Sequence, residues 1–448
     1  MECLVCKREL PRQMIADPEM VDDVLRPLLT VNTAGWEPGK PICRECLSRF
    51  YRVHNQLVSA FPQFSEQELK ILPTPMRLDS TDEYRGRGIT IAFLDSGFYA
   101  HPDLTEPSNR ILKYIDITGR TQSADLKKPR VSAWHGMMTS VVAAGNGRLS
   151  GGLYRGIASE ANVVLVKVGR AARIAHEDIS KGLKWVIANR KRYNIRIVNV
   201  SCGGDREESY LTDELCQAAE EAVRCGIVVV AATGNAGLEE NHRVIPPASA
   251  PAVISVGGLD DKNTLDHGQF DIYRSSYGPT IDGLQKPEVI APGIWVAAPI
   301  LPGTPTAEQA ALYSKLEKAK DAQLHEIIKK HRGVDEHLDH AIDLAPYLIR
   351  HIVWIKIRDN NVISDNYKHV DGTSFAAPIV SSIAAQMLEA APLLKPHEIK
   401  YILIKTARRI PRIDTDKQGW GKVNPRAAVG AAIATENGKS KDTGKPKR

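Results

Sequence analysis

Nowhere in these 448 residues does an apolar run approach the roughly 20 residues of a bilayer span, which argues against a membrane-spanning helix. A secretory leader is missing too. Such a leader needs a basic start and an apolar stretch of about 7–15 residues, whereas the N-terminus, MECLVCKREL, is polar from residue 7 onward. The expectation is a cytoplasmic chain. Net charge is scarce: 59 basic against 53 acidic residues leave +6, too mild to argue for nucleic acid or a membrane surface. Internal repeats are absent. Cysteines number only seven, four of them in two CxxC pairs, so a disulfide scaffold is not in prospect. What remains is ordinary for a soluble globular protein, with 43% hydrophobic and 25% charged residues and enough length to bury a core unaided.

The texture divides the chain. Residues 1–72 hold the paired cysteines and end in Leu47, Phe50, Tyr51, His54, Leu57, Val58 and Phe61, a helical spacing. Residues 73–88, rich in Pro, Gly and charge, read as a linker. From 89 onward short apolar runs recur: ITIAFL (89–94), ANVVLVKV (161–168), IRIVNV (195–200), GIVVVAA (226–232) and AVISVGG (252–258). Unbroken runs of this kind suit strands buried on both faces of a parallel sheet. Helical patterns lie between them, at 137–144, 177–193 and 211–225. The alternation predicts a doubly wound α/β domain over 89–434. A charged helical insertion at about 300–369 interrupts it, with IVWIKI (352–357) as a candidate strand. Further helices are expected near 374–390, 396–407 and 425–434. The Lys-rich stretch from 435 to 448 reads as a disordered basic tail.

The paired cysteines are Cys3-x2-Cys6 and Cys43-x2-Cys46, separated by a 36-residue gap. In a reducing compartment, pairs of this kind bind metal more often than they form disulfides. Four thiolates suit a closed, structural, tetrahedral Zn²⁺. The second pair runs directly into the amphipathic helix, as in a treble-clef or zinc-ribbon arrangement. Lys7, Arg8, Arg44, Arg49 and Arg52 lie nearby, but Glu2, Glu9, Glu45 and the acidic residues of 17–23 offset them. The balance favours protein recognition or autoregulation over nucleic-acid reading.

Three segments carry nucleophile chemistry. In FLDSGFYAHPDL (93–104) a buried strand runs into Asp95, at the edge where open α/β sheets place their sites. Alone, that residue equally fits a turn. In WHGMMTSVVAAGNG (134–147) His135 opens a helical run and can present its ring to a cleft. In HVDGTSFAAPIVSSIAAQML (369–388) Ser374 sits between a Gly-Thr turn and a helix of small residues. A serine there is commonly an N-cap, but Phe-Ala-Ala-Pro follows it rather than the acidic residue of a capping box.

The order Asp, His, Ser, with NVSCGG (199–204), AATGNAG (231–237), PASAPAVISVGG (247–258) and APG (291–293), resembles the subtilisin-like serine peptidase family over about 86–298 and 366–434. The resemblance implies a serine endopeptidase with Asp95, His135 and Ser374 as its triad and Asn235 as oxyanion donor, acting on protein or peptide substrates. Ser201, Cys202 and Gly203 would hold extended substrate. Ala231, Ala232, Thr233 and Gly234 would form the opposite pocket wall, and these small, uncharged walls favour an apolar residue before the scissile bond. Calcium is common in the family, but no Ca²⁺ ligand set is assignable in this sequence. Two positions depart from the pattern. Met137-Met138 replace the family's Thr-His after the Gly that follows the histidine, and Cys202 stands where a larger apolar residue is usual. Residues 1–72 occupy the place of the family's prodomain without resembling it. With the insertion at 300–369 they are candidates for binding a regulatory partner. The rival reading is a catalytically silent adaptor on the same fold, against which the intact set of four residues argues.

Overall fold

The computed structural model describes residues 1–22, 25–33, 35–60, 71–119, 126–170, 173–204, 206–240, 243–265 and 270–443. Each apolar run forms a strand. Two strands outside those five runs, Ile111–Asp116 and Val289–Pro292, close the path at its ends, and the order across the sheet is Val289–Pro292, Ile254–Asp260, Val228–Ala232, Ile195–Val200, Thr90–Asp95, Asn162–Lys167, Ile111–Asp116. Neighbours along this path are all parallel, and Asp271–Ile272 adds an antiparallel edge beside Ile254–Asp260. Strand Thr90–Asp95 is buried at every position. Its side chains alternate between two apolar layers, as the two-residue strand period requires. Ile91 and Phe93 pack with Met137 and Val141 of helix Trp134–Ala144 and with Ala376 and Val380 of helix Thr373–Ala390. Ala92 and Leu94 pack with Ile179 and Leu183 of helix His176–Asn189 and Leu215 of helix Glu214–Arg224. Helices on both faces of a mostly parallel sheet make the fold doubly wound α/β.

Three readings need correction. First, IVWIKI belongs to helix Pro346–Asp359. Its buried residues, Ile349, Val353 and Ile357, recur every four positions, which is the stripe of a helix. They close a small separate core with Leu312, Tyr313, Leu316 and Leu338. This insertion hangs between Val296–Pro299 and Tyr367–Val370, which pair antiparallel, so its return strand leads straight to Ser374. Second, residues 73–88 are packed rather than solvated. Thr74–Arg77 is a short helix with Pro75, Met76 and Arg77 buried. Glu389 accepts hydrogen bonds from the N–H groups of Arg85, Gly86 and Arg87, at 2.6, 2.6 and 3.0 Å. Third, the last helix spans Pro425–Thr443, so it runs into the stretch read as a tail. There Lys439 pairs with Glu398 at 2.6 Å and the Glu436 carboxylate accepts from Leu393 N–H, contacts that offset its polar composition. Residues 444–448 lie outside the described residues.

The N-terminal region builds its own apolar cluster around Val5, Leu25, Leu28, Trp36, Leu47 and Phe50, closed against the body by Met76 and Leu265. Helix Arg44–Ala60 supplies the amphipathic face. Phe61 and the side chains of Leu57 and Val58 fall outside the described residues.

Candidate active site

Three adjacent strands end together at one edge of the sheet. Asp95 closes the first, Ser201 follows the second and Thr233 follows the third. This is the edge at which open parallel sheets place their sites. Asp95 is 1% exposed. Its carboxylate accepts from Ser96 N–H at 2.7 Å, Ser96 Oγ at 3.2 Å and Thr139 Oγ1 at 3.1 Å. His135 Nδ1 lies 2.8 and 2.9 Å from its two oxygens. Because the carboxylate faces Nδ1, that nitrogen carries the proton and Nε2 is left free toward the cleft. Burial pulls the His135 pKa down, but the charge and hydrogen bond of Asp95 outweigh it, so the imidazole lies above its ordinary 6.5. The approach depends on Gly136, since a Cβ there would sit 2.2 Å from Gly97 O and 2.9 Å from Asp95 Cβ.

Ser374 lies in the first turn of helix Thr373–Ala390, entered through Gly372 at φ 144°, a backbone state that disfavours any side chain. Pro378 inside this helix has no N–H, so the Ser374 carbonyl loses its helical partner. Ser201 Oγ donates to it instead at 2.9 Å. A relay holds that hydroxyl in place: Ser381 Oγ donates to Asn199 Oδ1 at 3.0 Å, and Asn199 Nδ2 donates to Ser201 Oγ at 2.8 Å. The Ser374 hydroxyl itself donates to Ser201 O at 3.1 Å, and no hydrogen bond joins it to His135. The next residue, Phe375, packs on the imidazole with ring centroids 5.7 Å apart. Asn235 Oδ1 accepts from Thr373 N–H and Thr373 Oγ1, both at 3.0 Å. Those two bonds fix the amide so that its two Nδ2 protons remain for a ligand.

The expected pocket wall is narrower than the motif implies. The Ala231 side chain points into the far core at 0% exposure. Thr233 is 1% exposed, and its hydroxyl donates to Val256 O at 3.2 Å. The strand period turns these two inward and leaves Ala232 and Gly234 half-buried beside the cleft. Cys202 also turns inward, with Sγ 3.6 Å from Leu94 O. Burial, then the charge of Asp95, hold its thiol well above the ordinary range, which keeps it in the unreactive protonated form.

The motifs do not single out Thr139, Thr373, Asn199 or Ser381. Thr139 carries a signal in its position four residues after His135 on the same helical face, Thr373 lies in the turn before Ser374 and Asn199 opens NVSCGG, while Ser381 carries none.

Away from the cleft, Cys3, Cys6, Cys43 and Cys46 bring four sulfurs within 4.8 Å of one another, a group that could hold a metal ion. Cys6 Sγ and Cys43 Sγ are 3.9 Å apart. A tetrahedron with metal–sulfur bonds of about 2.3 Å has edges of about 3.8 Å. Cys43 N–H donates to Cys3 Sγ at 3.2 Å and Arg8 Nε to Cys6 Sγ at 3.3 Å, both of which favour thiolate. Hydrogen bonds from Cys43 first, then Cys46, draw Cys3 down to about 6, while Cys46 is pushed up, chiefly by Cys3. Four thiols this close cannot ionise together without a cation, so the donor set fits a soft divalent metal.

A family model described as the subtilase family matches residues 86–421. The chain is 30% identical over 355 residues to serine protease AprX of Bacillus subtilis (strain 168), which covers 77% of this chain and 66% of AprX. It is 30% identical over 183 residues to the major intracellular serine protease of the same organism, covering 39% of this chain and 52% of that one. The chain therefore spans about two thirds or less of these relatives' lengths. Among solved structures, a protease from Pseudoalteromonas arctica superposes with TM-score 0.54 at 23% identity, covering 84% of this chain and 97% of that one. The prenylagaramide maturation protease PagA gives TM-score 0.50 at 20% identity, covering 77% and 94%. At such identities these two likenesses show the fold.

Proposed function

Because the chain belongs to the subtilase family, we propose that it is a cytoplasmic serine endopeptidase with Asp95, His135 and Ser374 as its triad. The carrying observation is the Asp95–His135 pair, 2.8 Å apart at the edge of the sheet, with Phe375, the neighbour of Ser374, packed on the same ring. On arrival of substrate the Ser374 hydroxyl rotates from Ser201 O toward His135 Nε2. The imidazole takes the proton as Oγ attacks the scissile carbonyl, then returns it to the leaving amine. Asp95 holds the tautomer and offsets the imidazolium charge. Negative charge gathering on the carbonyl oxygen meets Asn235 Nδ2 and the N–H of Ser374. Cys3, Cys6, Cys43 and Cys46 would hold Zn²⁺ as a structural ion that takes no part in these steps. The cysteine unit and the insertion, whose return strand enters the Ser374 turn, are the elements through which a regulatory partner would act. A fluorophosphonate should label the wild type at Ser374 and leave Ser374→Ala unlabelled; labelling that survives the substitution would sink the assignment. The resting bond of Ser374 to Ser201 O is the one observation favouring a silent adaptor, and the same experiment decides between the two.

The pH profile follows from the His135 shift. Neutral imidazole is the active form, so kcat/KM should rise along an acid limb centred above 6.5, the ordinary value for the group. In Asp95→Asn burial acts unopposed and the limb should move below 6.5, with kcat lower by about 10⁴-fold, a scale taken from a chymotrypsin-type triad. The linkage has the matching sign. A raised folded pKa means that the charged pair stabilises the fold below the unfolded value and that this contribution is lost as pH rises through the folded one. An acid limb that stays in place in Asp95→Asn would contradict the pairing.

Specificity follows from the pocket wall. Ala232, Gly234 and Gly203 offer no charge, so peptides with Leu or Phe before the scissile bond should be cleaved at least about tenfold faster than those with Arg or Lys, which would lose hydration unpaired. A peptide library that ranks the basic residues first removes this reading.

A further inference from the structure

Between the cysteine unit and the body lies a cavity of about 430 Å³. Arg8, Arg49 and Arg52 face it from one side, and Arg408, Arg409 and Lys422 from the other. Among the described residues, the acidic side chains in its lining are Glu45 and Asp79, and both are already shared. Glu45 pairs with Arg8 at 2.6 Å and Arg408 at 2.7 Å. Asp79 pairs with Arg52 at 2.6 Å and Arg426 at 3.1 Å. Among the described residues, Arg49, Arg409 and Lys422 have no carboxylate partner.

Arg49 is the decisive one. It is 5% exposed, and only Nη2 is satisfied, donating to Arg77 O at 2.9 Å. Its Nε and Nη1 are buried without a partner. Cys46 attracts it by charge but makes no hydrogen bond to it, and the side-chain donor to Cys6 Sγ is Arg8. Lys422 is 8% exposed, with its ammonium 4.3 Å from the centroid of the Phe270 ring. Burial, then the charge of Arg49, pull it down to about 7. The cysteine cluster offsets part of this charge, but Arg49 keeps two buried donors unbonded and neither it nor Lys422 has a carboxylate opposite, an arrangement that is costly to remove from water. The rest of the wall is Leu78, Phe270, Ile410, Pro411 and Val423, with Asn424 and the cysteines Cys6 and Cys46 of the metal cluster. A cationic floor beneath a mostly apolar wall is the form of a site for an organic anion, and the volume lies in the range of small-molecule pockets.

We propose that this cavity binds a small organic anion with a phosphate or carboxylate headgroup, clamped between Arg49 of the cysteine unit and Arg409 and Lys422 of the body. The guanidinium donors of Arg49 match the oxygens of either headgroup. The bound anion ties the two halves together across their seam. The proposal is independent of the peptidase chemistry, whose residues lie elsewhere.

The test is calorimetric titration of the full, metal-loaded chain with phenyl phosphate, inorganic pyrophosphate and benzoate. Phenyl phosphate should bind one to one. Arg409→Met, at an exposed position, should keep the fold and weaken binding by about tenfold to a hundredfold, the range for a hydrogen bond to a charged group. Lys422→Met should abolish binding while holding or raising the ligand-free melting midpoint, because it removes a buried amine that has no carboxylate partner. Benzoate binding with the same dependence on both residues would assign the headgroup as carboxylate, and phenyl phosphate binding without benzoate would assign it as phosphate; pyrophosphate binding alone would overturn the organic-anion reading. No binding of any of the three, or binding unchanged in both variants, overturns the proposal.

Discussion

Ser374→Ala should lower kcat toward peptide substrates by about 10⁶-fold, a scale taken from subtilisin itself, while leaving the fold intact. The second half of this expectation comes from the local bonding. The hydroxyl makes one hydrogen bond, to Ser201 O, and alanine forfeits about 1 kcal/mol with it. Everything that positions the turn is held by other atoms. The Ser374 carbonyl still accepts from Ser201 Oγ, Thr373 still fixes Asn235, and Gly372 N–H still donates to Gly293 O at 2.7 Å. Asp95 and His135 do not depend on the serine for their contact. The variant should therefore bind substrate, unfold within about 4 °C of the wild type and fail only in the chemical step. Retention of more than about a hundredth of wild-type kcat would show that some other group is the nucleophile.

The inner strands were legible because burial on both faces leaves them as unbroken apolar runs, whereas Ile111–Asp116, half-buried at the sheet's end, shows no such run. The candidate residues Asp95, His135 and Ser374 stood out because their motifs specify backbone geometry as well as chemistry: Gly136 admits the close approach to Asp95, and Gly372 adopts a φ that other residues avoid. The residues that hold the site were hidden for the opposite reason. Asn199 and Ser381 meet 182 positions apart, and nothing local to either announces the pairing. The segment 73–88 misled through composition. Arg77 forms an ion pair with Asp261 at 2.8 Å, both side chains fully buried, and donates to the carbonyls of Ile294 and Trp295. An arginine in a Pro-rich stretch announces none of this, because its partners lie 184 to 218 positions away. IVWIKI misled because Val353 and Ile357 face the insertion's core while Trp354, at 55% exposure, faces out. Six apolar-rich residues are too few to separate a strand from a helix by period.

Those long-range contacts give metal removal its reach. The full chain should hold one divalent metal, expected as Zn²⁺, at the four cysteines, and stripping it with a strong chelator should melt residues 1–60. Structural zinc in small modules contributes an apparent 10–16 kcal/mol or about that much, comparable with the whole stability of a typical domain at about 5–15 kcal/mol. The core of this unit, Val5, Leu25, Leu28, Trp36 and Phe50, is too small to replace it. Cys46→Ser, at a position 4% exposed, should have the same effect. Loss should then pass to the body along a defined path. Arg49 donates to Arg77 O, and Arg77 holds the carbonyls of Ile294 and Trp295 just ahead of Val296–Pro299. That strand pairs with Tyr367–Val370, which leads into Ser374. Hydrogen exchange should thus show protection lost first in 1–60 and then in 294–299 and 367–374, with peptidase activity falling alongside. If activity and the second set of amides hold while the first set exchanges, the cysteine unit is a separate recruiting module. A chelated chain with unchanged exchange throughout and no metal by elemental analysis would mean that the four sulfurs are packed as thiols, and the tetrahedral reading would be wrong.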